Sequence, residues 1–164
     1  MTDAVLELLA KQAITERLHD YARGIDRGDR ALVCSAFHDD APADYGDMYA
    51  GTGHGFADYV IATHRDDLWL AHRITNVSIT VRGDRAGSES YVEVRSRGTR
   101  NGRLIEMHAI GRYVDEWERR EGEWRISNRR YLHGRDEHHE ARPGAFPTEG
   151  SRDEADPSRT VLGR

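Results

Sequence analysis

One cysteine, Cys34, stands in a chain of 164 residues. No internal disulfide framework can form, and a reducing compartment suits the chain. Apolar runs are four residues or fewer, which excludes a membrane-spanning helix and the apolar core of a secretory leader. A cytoplasmic location is therefore expected. Lysine is almost missing: Lys11 is the only one among 24 basic residues, an arginine excess that matches the codon usage of a GC-rich bacterial genome. Net charge is −5, so there is no global basic field to attract nucleic acid, and neither nucleic acid nor a membrane is expected as a partner. Phosphate cradles and serine triads find no motif either. "GTGHG" carries no lysine and does not follow a buried parallel strand, and no nucleophile elbow occurs.

What is present is a change of period along the chain. Over residues 3–25, apolar side chains recur at Leu6, Leu9, Ala10, Ile14, Leu18, Tyr21 and Ile25, the stripe of one long amphipathic helix. A second helix is predicted over 29–37, with Asp29 as its N-cap and Leu32, Val33 and Phe37 turned inward. Residues 39–55 mix Pro, Gly and Asp with Tyr45, Met48 and Tyr49, as a short strand within a loop would. A third helix follows over 55–67. From Leu68 the pattern becomes four β-rich runs separated by "RGDRA", "RGTRNGR" and "RREGE", turns short enough to join antiparallel neighbours. Beyond Leu132 large apolar residues nearly vanish. The sequence predicts a folded domain over 1–133 and a polar, flexible tail over 134–164, mobile or draped over a partner subunit. Three helices followed by a curled antiparallel sheet make an α+β domain.

Within "DYARGIDRGD", Asp26 falls in the last turn before Gly28. There the negative end of the helix dipole opposes a carboxylate by about 0.3–1 kcal/mol.

Four segments, "ITERLHDYARGIDRGD", "FHDDAPADYG", "WLAHRITN" and "GRYVDEWERREGEWRISNRR", together resemble in order and spacing the SnoaL-like branch of the nuclear transport factor 2-like superfamily. The resemblance covers about 5–132. It implies a cone-shaped roll: a strongly curved antiparallel sheet wrapped around the long N-terminal helix, with two shorter helices, enclosing a deep pocket. Dehydratase and dehydrochlorinase members of the family pair an Asp at the end of the first helix with a His on the first long strand. Here those positions are Asp26 and His72. A carboxylate on one imidazole nitrogen fixes the tautomer and stabilises the imidazolium formed when the other nitrogen takes a proton.

By the same resemblance, Tyr21 donates a hydrogen bond to a departing hydroxyl or a carbonyl oxygen, and Arg129 stands near the leaving group. His108 is a second histidine that binds substrate or transfers a proton. Strand alternation places His108, Ile110 and Arg112 on one face and Met107, Ala109 and Gly111 on the other, without saying which points inward. Asn76 shares the parity of His72 and is a candidate to bind substrate. Tyr45, Met48, Tyr49 and Trp69 are candidate pocket walls. His133, His138 and His139 match no metal-ligand spacing, and no metal or cofactor is expected.

The expected activity is that of a cofactor-independent lyase or dehydratase acting on a small apolar or aromatic ring compound. It would eliminate water or halide, or lose formaldehyde by retro-aldol cleavage. An isomerase or polyketide cyclase using the same pair, and a non-catalytic binding or assembly module, are the alternatives. By the same resemblance a homodimer or homotrimer is expected, covering the outer face of the sheet; Val77, Ile79, Val92, Val94, Ile110, Val114 and Ile126, distributed over both faces, fit that expectation.

Overall fold

Helix α1 spans Asp3–Asp26 and α2 Arg30–Ser35, where the Asp29 carboxylate caps the Leu32 amide at 3.0 Å. Strands β1 (Pro42–Asp44) and β2 (Ala50–Thr52) flank a 3₁₀ turn at Gly46–Met48 and lead into α3, Gly53–Thr63. Four long strands follow: β3 Asp67–Arg82, β4 Arg85–Arg100, β5 Arg103–Arg120 and β6 Glu123–Glu140. A short α4 spans Pro157–Leu162. These elements come from a computed structural model that describes residues 2–147, 149–153 and 155–163.

The six strands form one curved, unclosed sheet in the order β2-β1-β6-β5-β4-β3, antiparallel except where β1 runs parallel to β6. Asn101–Gly102 and Glu121–Gly122 close the β4–β5 and β5–β6 hairpins with positive φ at both loop positions, the geometry whose twist matches that of the flanking strands. The α+β cone expected from the sequence is therefore what the chain forms. The core lies between α1 and the concave face, where Ile14, Leu18, Tyr21 and Ile25 meet Val92, Trp117 and Ile126. The predicted α1 stripe is buried from Ala10 onward: Leu6 and Leu9 are exposed, and Leu6 borders a shallow depression with Val81 and Trp124.

Four bulges decide which side chains face inward, and the first leaves Leu68 unpaired between Asp67 and Trp69, so that Asp67 and Leu70 are both buried. In β3, Thr75 pairs with Tyr91 and Ser78 with Glu89, so Asn76 and Val77 share a single place opposite β4. Asn76 takes φ +50° there and is exposed. The inward parity passes from Leu70, His72 and Ile74 to Val77, Ile79 and Val81. In β6 the unpaired residues are Ser127 and Gly134. They carry the inward set from Trp124 and Ile126 to Arg129 and Tyr131, and then to Asp136 and His138. The β3 bulge thus accounts for Val77 and Ile79 facing inward, while Val114 on β5 stays on the outer face, 40% exposed.

The sheet also does not stop at residue 133, since β6 runs on to Glu140 paired with β5. Nor is the described part of 134–164 free of the domain. Arg152 donates to the carbonyls of Ile25 (3.0 Å), Asp26 (3.1 Å) and His64, closing the C-terminal ends of α1 and α3 with one guanidinium. Asp156 caps α4 and pairs with Arg27 at 3.6 Å. Polar capping anchors this segment where apolar burial is absent, which is why its composition gave no sign of docking.

Candidate active site

Asp26 is the last residue of α1, and the end of that helix lies along β3, the edge strand of the sheet. Its carboxylate accepts from the backbone N–H of His72 at 3.0 and 3.1 Å and contacts the ring Nδ1 at 2.7 Å. An edge-strand amide that would otherwise need water is thereby satisfied, and the imidazole is locked in orientation. The His72 side chain is only 5% exposed. With Nδ1 held by the carboxylate, Nε2 is the nitrogen left for chemistry, and His72 lines a cavity of about 470 Å³ between α1, α3 and the concave sheet.

Apolar side chains, among them Ile25, Phe56, Val60, Val94 and Ile105, form most of the cavity wall. Its floor is phenolic. The Tyr21 and Tyr45 hydroxyls hydrogen-bond each other at 2.8 Å, Tyr45 stacks on Phe56 with centroids 3.5 Å apart, and Tyr113 meets Tyr21 edge-on at 5.8 Å. Burial, more than any neighbouring charge, pushes the Tyr21, Tyr45 and Tyr113 phenols above their ordinary range, so they stand as neutral O–H groups. Tyr131 inclines into the wall over Gly111, where a Cβ would collide with its ring.

Arg129 does not line this cavity. Fully buried one layer behind the phenols, it makes a two-pronged pair with Asp115 at 2.7 and 2.8 Å and lies 4.0 Å from the Tyr113 ring centroid and 4.3 Å from that of Tyr21. Burial alone would push the guanidinium down; Asp115, then Tyr45 and Tyr21, outweigh it and hold the charge. Its Nη1 is buried without a hydrogen-bond partner. The expectation that Arg129 stands at a leaving group is corrected to a place behind the floor: the Ser127 bulge turns it inward, and the pair with Asp115 holds its guanidinium beneath the phenol rings.

The other expected residues divide. Tyr45 and Met48 line the cavity. Tyr49 lies behind the wall, donating to the Thr52 carbonyl at 3.1 Å and packing on Phe56 and Tyr59. Trp69, 39% exposed, and His108 point away from the cavity and border a depression of about 640 Å³ rimmed by Arg73, Arg95 and Arg97. His108 pairs there with Glu93 at 2.9 Å. On β5 the odd-numbered face, with Met107, Ala109 and Tyr113, is the inner one. Asn76 is not a cavity residue; its left-handed backbone makes the bulge.

Sequence reasoning missed Tyr113, which continues the parity of Met107 and Ala109. It also missed His64 and Asp67, a second His–Asp contact at 2.7 Å on the cavity wall, whose three-residue spacing across the end of α3 was the available signal.

A family model described as "SnoaL-like domain" matches residues 6–130. Among solved structures, a "Putative Scytalone Dehydratase" from Novosphingobium aromaticivorans superimposes with a TM-score of 0.71 at 20% identity, covering 82% of this chain and 91% of that one. Hexachlorocyclohexane dehydrochlorinase LinA-type3 from Novosphingobium barchaimii gives 0.69 at 20%, covering 86% and 96%. Rv3472, a function-unknown protein from Mycobacterium tuberculosis, gives 0.69 at 22%, covering 82% and 78%. No curated protein matches the sequence. Among the described residues, no helix is long and apolar enough to cross a membrane.

Proposed function

The chain belongs to the SnoaL-like domain family, and from that premise we propose that it is a cofactor-independent lyase of the dehydratase type, with His72 as its general base. One observation carries this reading: an imidazole whose Nδ1 is held by Asp26 at 2.7 Å lines an apolar cavity floored by hydrogen-bonded phenols. Fold-level likeness to a scytalone dehydratase and a dehydrochlorinase supports the reaction class by analogy.

In the proposed reaction, His72 Nε2 takes a proton from a carbon of a ring-containing substrate, and Asp26 stabilises the imidazolium. The electron pair of the broken C–H bond forms a double bond, and the pair of the broken C–O or C–halogen bond leaves with hydroxide or halide. Released hydroxide recovers a proton from the imidazolium as water; where halide leaves, the imidazolium gives its proton to solvent. The Tyr21–Tyr45 pair, kept neutral by burial, has one O–H left over from its mutual hydrogen bond, and that hydroxyl donates to the oxygen on which negative charge grows, with the Arg129 charge behind the pair strengthening the donor. The enclosed apolar wall selects an apolar ring compound.

A panel of hydroxylated and halogenated ring compounds, assayed for loss of water or halide with wild type and His72→Ala, tests the reading. Turnover by wild type should fall by about 10²–10⁴-fold in the variant. Equal turnover by the two proteins removes His72 from the mechanism.

A further inference from the structure

Exposure along the cavity runs from the buried phenols of the floor to half-exposed side chains of a mouth: Arg100, His133 and His138 are 46%, 49% and 60% exposed. His64, the residue that closes α3, joins them on the wall, its ring nearly buried. Asp67 holds the His64 ring through Nδ1 at 2.7 Å and is itself bound by Arg100 at 2.5 Å. Burial would raise the Asp67 carboxyl, but the hydrogen bonds from His64 and Arg100 together outweigh it and keep the group ionised. On β6, Asp136 is shared in the same way by His133 and His138, each at 3.2 Å.

The mouth therefore gathers one guanidinium and three imidazoles around two carboxylates. Asp67 and Asp136 are the acidic residues of the described cavity lining, and each is already divided between two basic side chains. The Gly134 bulge brings His133 and His138, five positions apart, to the same face. Asp67 and Arg100 come from neighbouring strand ends, so the guanidinium and the imidazole stand side by side on a shared carboxylate. With Nδ1 of His64 committed to Asp67, its Nε2 is the ring nitrogen left to meet a ligand.

We propose that this mouth is a carboxylate subsite, in which His64 and Arg100, together with His138, hold an acidic substituent of an otherwise apolar ring compound. The proposal rests on the reading that the cavity holds the substrate, and it narrows that substrate to a ring-bearing carboxylic acid with its apolar body directed at His72 and the phenols. A single guanidinium with a donor already on Asp67 suits a singly charged planar group better than a phosphate.

The test uses the full chain and two probes of nearly equal shape, 2-naphthoate and the neutral 2-naphthamide, measured by calorimetry and by histidine-detected NMR. Wild type should bind the naphthoate about tenfold more tightly than the amide, the scale of one charge-assisted hydrogen bond. His64→Gln and His138→Gln should each reduce that preference to roughly threefold or less while leaving amide affinity unchanged. His139→Gln serves as control, because its ring pairs with Glu106 away from the cavity. His138 is exposed enough that its substitution leaves folding intact, so the test stands even if His64→Gln misfolds. Equal affinity for the two probes, a preference unchanged in both variants, or no binding of either probe at millimolar concentration would overturn the proposal. His72→Ala should retain the naphthoate preference, so failure at the mouth and failure of the proposed base are separately visible.

Discussion

Asp26 holds His72 at two points, accepting from its backbone amide at 3.0 Å and contacting its ring Nδ1 at 2.7 Å, so strand and side chain are fixed by one carboxylate. The pairing predicts one neutral tautomer, with the proton on Nδ1 and Nε2 bare. Nitrogen-15 NMR of the imidazole should show that tautomer in the wild type. Asp26→Asn presents an amide in place of the acceptor and should shift the ring to a mixture, with activity lower by about 10²–10⁴-fold. A single unchanged tautomer in the variant would remove Asp26 as its determinant.

Arg129 and Asp115 are both fully buried, each the other's partner on adjacent strands. Asp115→Ala leaves a guanidinium uncompensated inside the core and should cost about 3–5 kcal/mol in urea unfolding. The double variant Asp115→Leu, Arg129→Met should recover much of that loss, since no buried charge is left. Its activity then tells whether the Arg129 charge serves the phenols or only the fold.

Arg152 ties the ends of α1 and α3 through three carbonyls. Arg152→Ala should lower stability by about 1–2 kcal/mol, as expected for a partly buried cation at a helix C-terminus. Amide exchange at residues 25–28 should accelerate while that of β5 changes only by the global loss. Rescue by lysine should be partial, because a single ammonium cannot reach three acceptors in the fork geometry of a guanidinium.

The buried phenols set an alkaline limit. Burial raises the Tyr21, Tyr45 and Tyr113 phenols in the folded state above the unfolded value near 10. Their contribution to stability is then fully present below about pH 10 and declines above it as the unfolded chain ionises first. A thermal-unfolding series should show the midpoint falling above that pH. Phenolate absorbance from these three residues should appear together with unfolding. Tyr21→Phe should flatten the alkaline slope.

Much of the site was legible before any fold was known, and the reason is local. Asp26 is placed at a helix end by an apolar period of about 3.6 residues and by Gly28, whose positive φ of 65° closes the turn. His72 lies in a β-rich run with turn signals on either side. Neither assignment needs knowledge of distant partners. His108, Asn76, Trp69 and Arg129 were harder, because each sits on a strand where a slip of one residue reverses the face.

The sequence by itself determined the helix stripe and the hairpin turns at Asn101–Gly102 and Glu121–Gly122, while its resemblance to the SnoaL-like family singled out Asp26 and His72 as a pair. Only the tertiary structure decided where the bulges at Asn76, Ser127 and Gly134 fall, and with them which histidines enter the cavity and that Arg129 lies beneath it. A bulge leaves a ladder position unpaired for the sake of packing between whole strands and α1, so its location follows from contacts far apart in the chain. Docking of Arg152 onto two helix ends is decided in the same way, since the carbonyls it closes exist only once α1 and α3 have formed and met.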